Sequence, residues 1–358
     1  MSTESPLHLV VASDARYLLG AIGTLASIRL AVPVETPIEV MFLHDGLSRS
    51  EQHRLTNALA KLRNAPVVTF VPVDADFALF PDAYPGSAMA YARLVLPEKV
   101  SMDRLIYIDV DMLVLKDLSE LEKCELPAKG VGAVLEKSGP TLGHDLPLGQ
   151  DHDLDPDWPY VSSGLLALDM PKVREAGVFA RAMEILAEYP QACRKYERSA
   201  LNYALEGKAL LFDPAWNLQN HRDDFDPIAA IPDLAARSMN VHFVGDDKPW
   251  LSFVPFPAEQ MFRMLLDTLE PRWKEDRHAK PIRAKARQPY ASVMPLLHRT
   301  RAVFKKLRGK DHLADHEAAD AWKQFNIDLH RLEAHDSTAT ELYEAWQAQI
   351  DAGLAKRK

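Results

Sequence analysis

Cysteine is nearly absent. Cys124 and Cys193 are the only two in 358 residues, which excludes a disulfide framework and a cysteine-based metal site and points to a reducing compartment. Long apolar runs are missing too: no stretch approaches the roughly 20 apolar residues that a membrane-spanning helix needs. The opening MSTESPLHLVVASDARY has no basic region ahead of its short apolar HLVVA, so no secretory signal is expected and the expected location is the cytoplasm. There are no internal repeats and no low-complexity tract. One region lacks acid altogether: Lys280 to Lys310 holds ten Lys or Arg and no Asp or Glu, in a chain of formal charge −9. A positive band on an acidic protein suits peripheral contact with an anionic surface, such as the inner face of a membrane, and argues against a uniformly basic nucleic-acid binder.

What is present is an ordinary globular composition, 47% hydrophobic and 26% charged, arranged as alternating strands and helices. HLVVAS (8–13), IEVMFLH (38–44) and VVTFVPV (67–73) read as buried strands, with helices expected over 17–30 and 48–62. Ser48 with Glu51 three residues on is a capping-box signature for the second helix. GVGAVLE (130–136), YVSSGLLALD (160–169) and NVHFV (240–244) read as further strands, and 171–189 as one helix with Pro171 in its first turn. The order implies an α/β, Rossmann-like, mostly parallel sheet with helices on both faces, and ligands at the carboxyl ends of its strands. A Gly-, Pro- and Asp-rich stretch, 138–159, reads as a long functional loop.

The chemistry centres on LIYIDVDMLVLKDL (105–118), where an apolar strand ends in Asp109 and Asp111. Positions two apart on a strand face the same way, so the carboxylates repel unless a cation compensates or water reaches both. A divalent metal and a solvated strand end both satisfy that condition. His242, in HFVGDDKPW (242–250), is the third ligand best placed at a strand end, and oxygen ligands with one imidazole suit manganese, or magnesium in its place, better than zinc. Gly245 permits close backbone approach, and Lys248 offers a point charge for phosphate.

With ASDARY (12–17), YARLVLP (91–97), RLIYIDVDMLVLKDLSEL (104–121), SSGLLALDM (162–170), SALNYAL (199–205) and FDPAWNLQ (212–219) in the same order, the chain resembles the family 8 glycosyltransferases over roughly residues 7–253. That resemblance implies a retaining enzyme of GT-A fold, like bacterial lipopolysaccharide glucosyl- and galactosyltransferases. It would use UDP-glucose or UDP-galactose and a saccharide or glycolipid acceptor. It implies that Ala12 and Asp14 meet the uracil and that Arg93 reaches the donor sugar or its phosphate. Asp109, Asp111 and His242 would hold Mn2+, Gly245 and Lys248 would hold the diphosphate, and Trp250 would buttress that loop. The chain departs from the family at Ser162, where Asn is common, at Glu197-Arg198, where Asp-Gln is usual, and at Glu136, which replaces a sugar-binding Asp. Glu197 and Arg93 are the expected catalytic pair.

A composition shift past about Phe256, the basic band and the helical stripes beyond it divide the chain into a catalytic domain (1–275), a basic linker with an amphipathic helix (276–310) and a C-terminal helical hairpin (311–358). The stripe within 292–307 suits either a bilayer interface or the face of the catalytic domain. The last helix carries Leu342, Trp346, Ile350 and Leu354, and is expected to pair with its neighbour or to mediate self-association. Two rival functions are a catalytically quiet UDP- or glycan-binding relative and a haloacid-dehalogenase-like phosphatase. The second lacks its D-x-D-G-T continuation, since Asp111 is followed by Met112 and Leu113.

Overall fold

A computed structural model describes residues 5–73, 77, 80, 88–145, 154–220, 230–245, 248–251, 257–279 and 339–355. Ten strands are seen among these residues: β1 (Leu7–Ser13), β2 (Ile38–His44), β3 (Val67–Pro72), β4 (Arg104–Ile108), β5 (Met112–Leu113), β6 (Val131–Leu135), β7 (Val161–Asp169), β8 (Leu210–Leu211), β9 (Leu218–Gln219) and β10 (Val241–His242). Seven form one sheet in the order β3-β2-β1-β4-β7-β6-β8. Strands β3, β2, β1 and β4 run parallel, and β7 is antiparallel to both β4 and β6. The chain order reverses direction across β1 and β4, the crevice where such sheets bind ligands. Strand β7 is buried along its whole length, with the apolar run Leu165 to Leu168 in its second half.

Helix α1 (Leu18–Ala31) is buried from Leu18 to Arg29, as expected of a helix that is apolar all round. It lies between the main sheet and the helix Pro257–Leu269. Its two buried hydroxyls have a specific use. Thr24 Oγ1 donates to the Met112 carbonyl (2.9 Å) and accepts from the Met112 N–H (3.1 Å), while Ser27 Oγ accepts from the Val114 N–H (3.0 Å). One edge of β5 is thus satisfied by a helix. The other pairs with β10, which pairs in turn with β9. Helix α2 (Arg49–Leu59) begins in the expected capping box of Ser48 and Glu51.

One expectation changes, and a second helix finds its place in the core. The single helix expected over 171–189 is two, Met170–Ala176 and Val178–Glu188, because Gly177 takes a left-handed conformation (φ +61°) and ends the first. The last helix, 339–353, turns its apolar stripe to the folded core. Leu342, Trp346 and Ile350 are buried in the same core as α1 and the helix Pro257–Leu269. Trp346 Nε1 donates to the Met261 carbonyl (2.9 Å), Gln349 Nε2 to the Leu30 carbonyl (3.1 Å), and Ala355 N–H to the Lys61 carbonyl (2.7 Å). The basic band 280–310 and the first helix of the expected hairpin lie outside the described residues. Among the described residues, no helix is long and apolar enough to cross a membrane.

Candidate active site

A cavity of about 550 Å³ opens at the carboxyl ends of β1 and β4. Ala12, Ser13 and Asp14 bring β1 to it, and Asp109 and Asp111 continue from β4. The small sheet brings in the third member. Because His242 pairs with Met112 across β10 and β5, and the Phe243 N–H bonds the Asp111 carbonyl (2.9 Å), the imidazole arrives beside the two carboxylates. One ligand atom from each of Asp109, Asp111 and His242 lies within 4.8 Å of the others. His242 Nε2 is 3.2 Å from Asp111 Oδ1 and 3.9 Å from Asp109 Oδ2.

The imidazole is aimed by a buried relay. His242 Nδ1 is 3.0 Å from Asn217 Oδ1, and Asn217 Nδ2 donates to Ser162 Oγ at 3.2 Å. With Nδ1–H donating to Asn217 Oδ1, Nε2 would be left to offer its lone pair to a bound cation; otherwise it lies within hydrogen-bond reach of Asp111 Oδ1 at 3.2 Å. Three electron-rich atoms converging on one point is the donor set of a hard divalent cation. Gly164 leaves the room: a Cβ there would lie 2.3 Å from His242 Cε1 and 3.0 Å from Asp109 Oδ2. The residues therefore fit a manganese or magnesium ion. Replacing Asn217 by alanine is expected to weaken Mn2+ binding by about 10- to 100-fold, with aspartate, which still accepts from Nδ1–H, retaining most of it. Manganese titration followed by electron paramagnetic resonance reads this directly, and an unchanged affinity in the alanine variant would remove the relay.

Electrostatics tie the rest of the site together. Lys248 is 3% exposed, and its ammonium donates to Asp111 Oδ2 (2.5 Å) and to the Phe243 carbonyl (2.7 Å). Burial pushes the Asp111 carboxyl up, but Lys248 and His242 outweigh it and hold it below the usual carboxylate range. Arg93 is buried and shared. It donates to Asp109 Oδ1 (2.9 Å) and to the Ser163 carbonyl, and it lies 3.7 Å from Glu197 Oε1. Burial raises the pKa of Glu197, against the opposing pull of Arg93 and Arg198. Glu136 pairs with Arg198 and accepts from Ser138 Oγ (3.0 Å).

Of the residues singled out from sequence, Ala12, Asp14, Arg93, Asp109, Asp111, Glu136, Glu197, His242, Gly245 and Lys248 all border this one cavity. Asp14 also caps the turn Ala15–Tyr17, with both carboxylate oxygens accepting from Arg16. Gly245 has φ +79° and open space where a Cβ would stand. Ser162 does not border the cavity. It lies behind it, on Asn217, so its hydroxyl acts on the His242 relay rather than reaching a sugar. Trp250 is buried against Tyr17 and Phe262. Sequence reasoning gave no role to Asn217, Arg194 or Lys195. The first stood inside the FDPAWNLQ block, and the other two belong to RKYER, a cationic run just before the SALNYAL block.

Residues 8–253 match the family model described as Glycosyl transferase family 8, and the chain belongs to that family. It is similar to General stress protein A of Bacillus subtilis (24% identity, covering 72% of this chain and 92% of that one). It is also similar to the lipopolysaccharide 1,2-glucosyltransferase of Escherichia coli (24%, 79% and 84%) and the lipopolysaccharide 1,3-galactosyltransferase of Salmonella typhimurium (23%, 73% and 78%). Its fold is that of galactosyltransferase LgtC, solved in complex with donor and acceptor sugar analogues (TM-score 0.59, 22% identity, 74% of this chain and 96% of that one). The fold is GT-A and the protein a glycosyltransferase by family. The phosphatase alternative falls with that match.

Proposed function

We propose that this protein moves a hexose, glucose or galactose, from a UDP-sugar to a hydroxyl of a saccharide or lipid-linked acceptor such as a lipopolysaccharide core, with retention at the anomeric carbon. The observation that carries the reading is the convergence of Asp109, Asp111 and His242 at the base of a cavity on the switch point of the sheet. Asp109, Asp111 and His242 would hold Mn2+, or Mg2+, which when bound supplies Lewis-acid stabilisation of the departing diphosphate.

The remaining work falls to the chain itself. Ala12 and Asp14 form the wall for the base, with the Asp14 carboxylate as acceptor for its edge. Gly245 lets backbone approach the diphosphate, and Lys248, already held at the site by Asp111, adds a fixed positive charge where negative charge develops. On the other side of the metal ligands, Glu136, Glu197 and Arg198 form the sugar end. The C1–O bond breaks with its electron pair leaving on UDP, the acceptor oxygen bonds C1, and its proton passes to the released diphosphate. Glu197, steadied by Arg93 and by Ser163 Oγ (3.2 Å), stands where a carboxylate offsets an oxocarbenium-like sugar.

Thermal shift tests this. UDP and UDP-hexose are expected to raise the melting temperature only with Mn2+ present, since a ligand at 100 times its Kd adds about 2.7 kcal/mol to stability. GDP matching UDP, or shifts indifferent to the metal, would refute the assignment. The Glu136–Arg198 pair, which ties up two charges of the sugar end, favours as a second reading a relative that binds without turnover; Mn2+-dependent UDP binding with no release of UDP from either UDP-hexose would support it.

A further inference from the structure

We infer that the acceptor carries an anionic group, a phosphate or a carboxylate, and that Arg194 and Lys195 receive it at the rim of the cavity; this rests on the glycosyl-transfer reading above. The site's other charges account for one another. Lys248 is paired with Asp111, Arg93 with Asp109 and Glu197, Arg198 with Glu136, and Asp14 with Arg16. Arg194 and Lys195 border the same cavity, are exposed, and have no ion-pair partner among the described residues.

Their backbone is nevertheless fixed. The Lys195 N–H donates to Ser199 Oγ (2.8 Å), and the Ser199 hydroxyl donates to the buried Asp145 carboxylate (2.5 Å), which also accepts from Tyr160 OH (2.7 Å). The Tyr196 N–H closes the turn on the Cys193 carbonyl (2.9 Å), with Tyr196 at φ +56°. An anchored turn thus presents two exposed cations with no ion pair among the described residues, Asp145 being the carboxylate that feels their charge.

Their place decides which substrate they meet. The donor's diphosphate belongs at the metal ligands and Lys248, and its sugar belongs over buried Glu136 and Glu197 and half-buried Arg198. Arg194 and Lys195 line the same cavity, exposed where Glu197 is buried and Arg198 half-buried, so they are the cations open to a second substrate that approaches the donor sugar from solvent. Two exposed cations in high dielectric give about a tenfold preference for an anion, together with sensitivity to salt.

The test uses the full chain with UDP and Mn2+, and measures dissociation constants for three probes: methyl glucoside, its 6-phosphate and methyl glucuronide. At low salt at least one anionic probe is expected to bind about tenfold tighter than the neutral one. That advantage should shrink at high salt and vanish in Arg194→Glu/Lys195→Glu, with melting temperature and UDP affinity unchanged. Preference for the phosphate indicates a phosphorylated acceptor, and preference for the glucuronide an acidic sugar. Equal binding of the three probes, or an anionic advantage that survives in the double variant, would overturn the inference. Absence of Mn2+-dependent UDP binding would instead bring down the functional reading and this inference with it.

Discussion

Asp111→Asn is expected to abolish Mn2+-dependent UDP binding and to lower UDP-hexose turnover by about 1,000-fold or more, the scale on which preorganised stabilisation of a leaving group acts. Asparagine keeps the volume and one acceptor oxygen, so packing is preserved and the change isolates the charge. That charge does two things. Its Oδ1 faces His242 and its Oδ2 holds Lys248. Without it, Lys248 remains 3% exposed beside a neutral amide, and stranding one member of a buried pair costs about 3–5 kcal/mol. The variant should therefore lose both the metal-dependent thermal shift and part of its basal melting temperature. A companion Asp111→Asn/Lys248→Met variant should regain stability without regaining metal. If Asp111→Asn still binds UDP in a manganese-dependent way, Asp111 is not a ligand.

Gly164→Ala is the second change with a large expected effect, although it alters no charge. Gly164 lies on β7 where the strand passes the end of β4, and its carbonyl accepts from the Asp109 N–H at 2.8 Å. A methyl group would meet His242 Cε1 at 2.3 Å and Nδ1 at 2.8 Å. The ring cannot yield easily, because Asn217 holds it from behind and the β5–β10 pairing fixes its backbone. Overpacking of this kind costs about 1–3 kcal/mol, and relief by turning the imidazole would take Nε2 away from the carboxylates. Loss of Mn2+ affinity with a modest fall in melting temperature is the expected signature. Unchanged metal binding would mean that His242 is free to move, against the relay.

Much of the fold was legible in the sequence because its signals are local. Apolar runs mark the buried strands, a period of two places Asp109 and Asp111 on one side, and the Ser48–Glu51 box opens α2; each depends on sterics and hydration within a few residues. Gly177 shows the limit of such reading, since one left-handed residue divides an otherwise continuous helical pattern. The ordered blocks from ASDARY to HFVGDDKPW carried the family and the three metal-ligand candidates, while Glu136 and the stretch Arg194 to Arg198 reach the cavity from outside them. Ser162 was misplaced because pointing into a pocket and pointing behind it look the same in a linear sequence.

The composition and the short-range pattern alone determined an α/β chain with an acidic pair at a strand end. Tertiary structure decided what that pair meets. Lys248 reaches Asp111 from 137 positions away, Arg198 neutralises Glu136 across 62, and the last helix buries its apolar face in the core that holds α1 and the helix Pro257–Leu269. Partners so distant are chosen by register between strands and by which buried charge lacks a counterpart once the core has closed. That choice has no local signature, because its energy exists only after the chain has brought the groups together and removed the water between them.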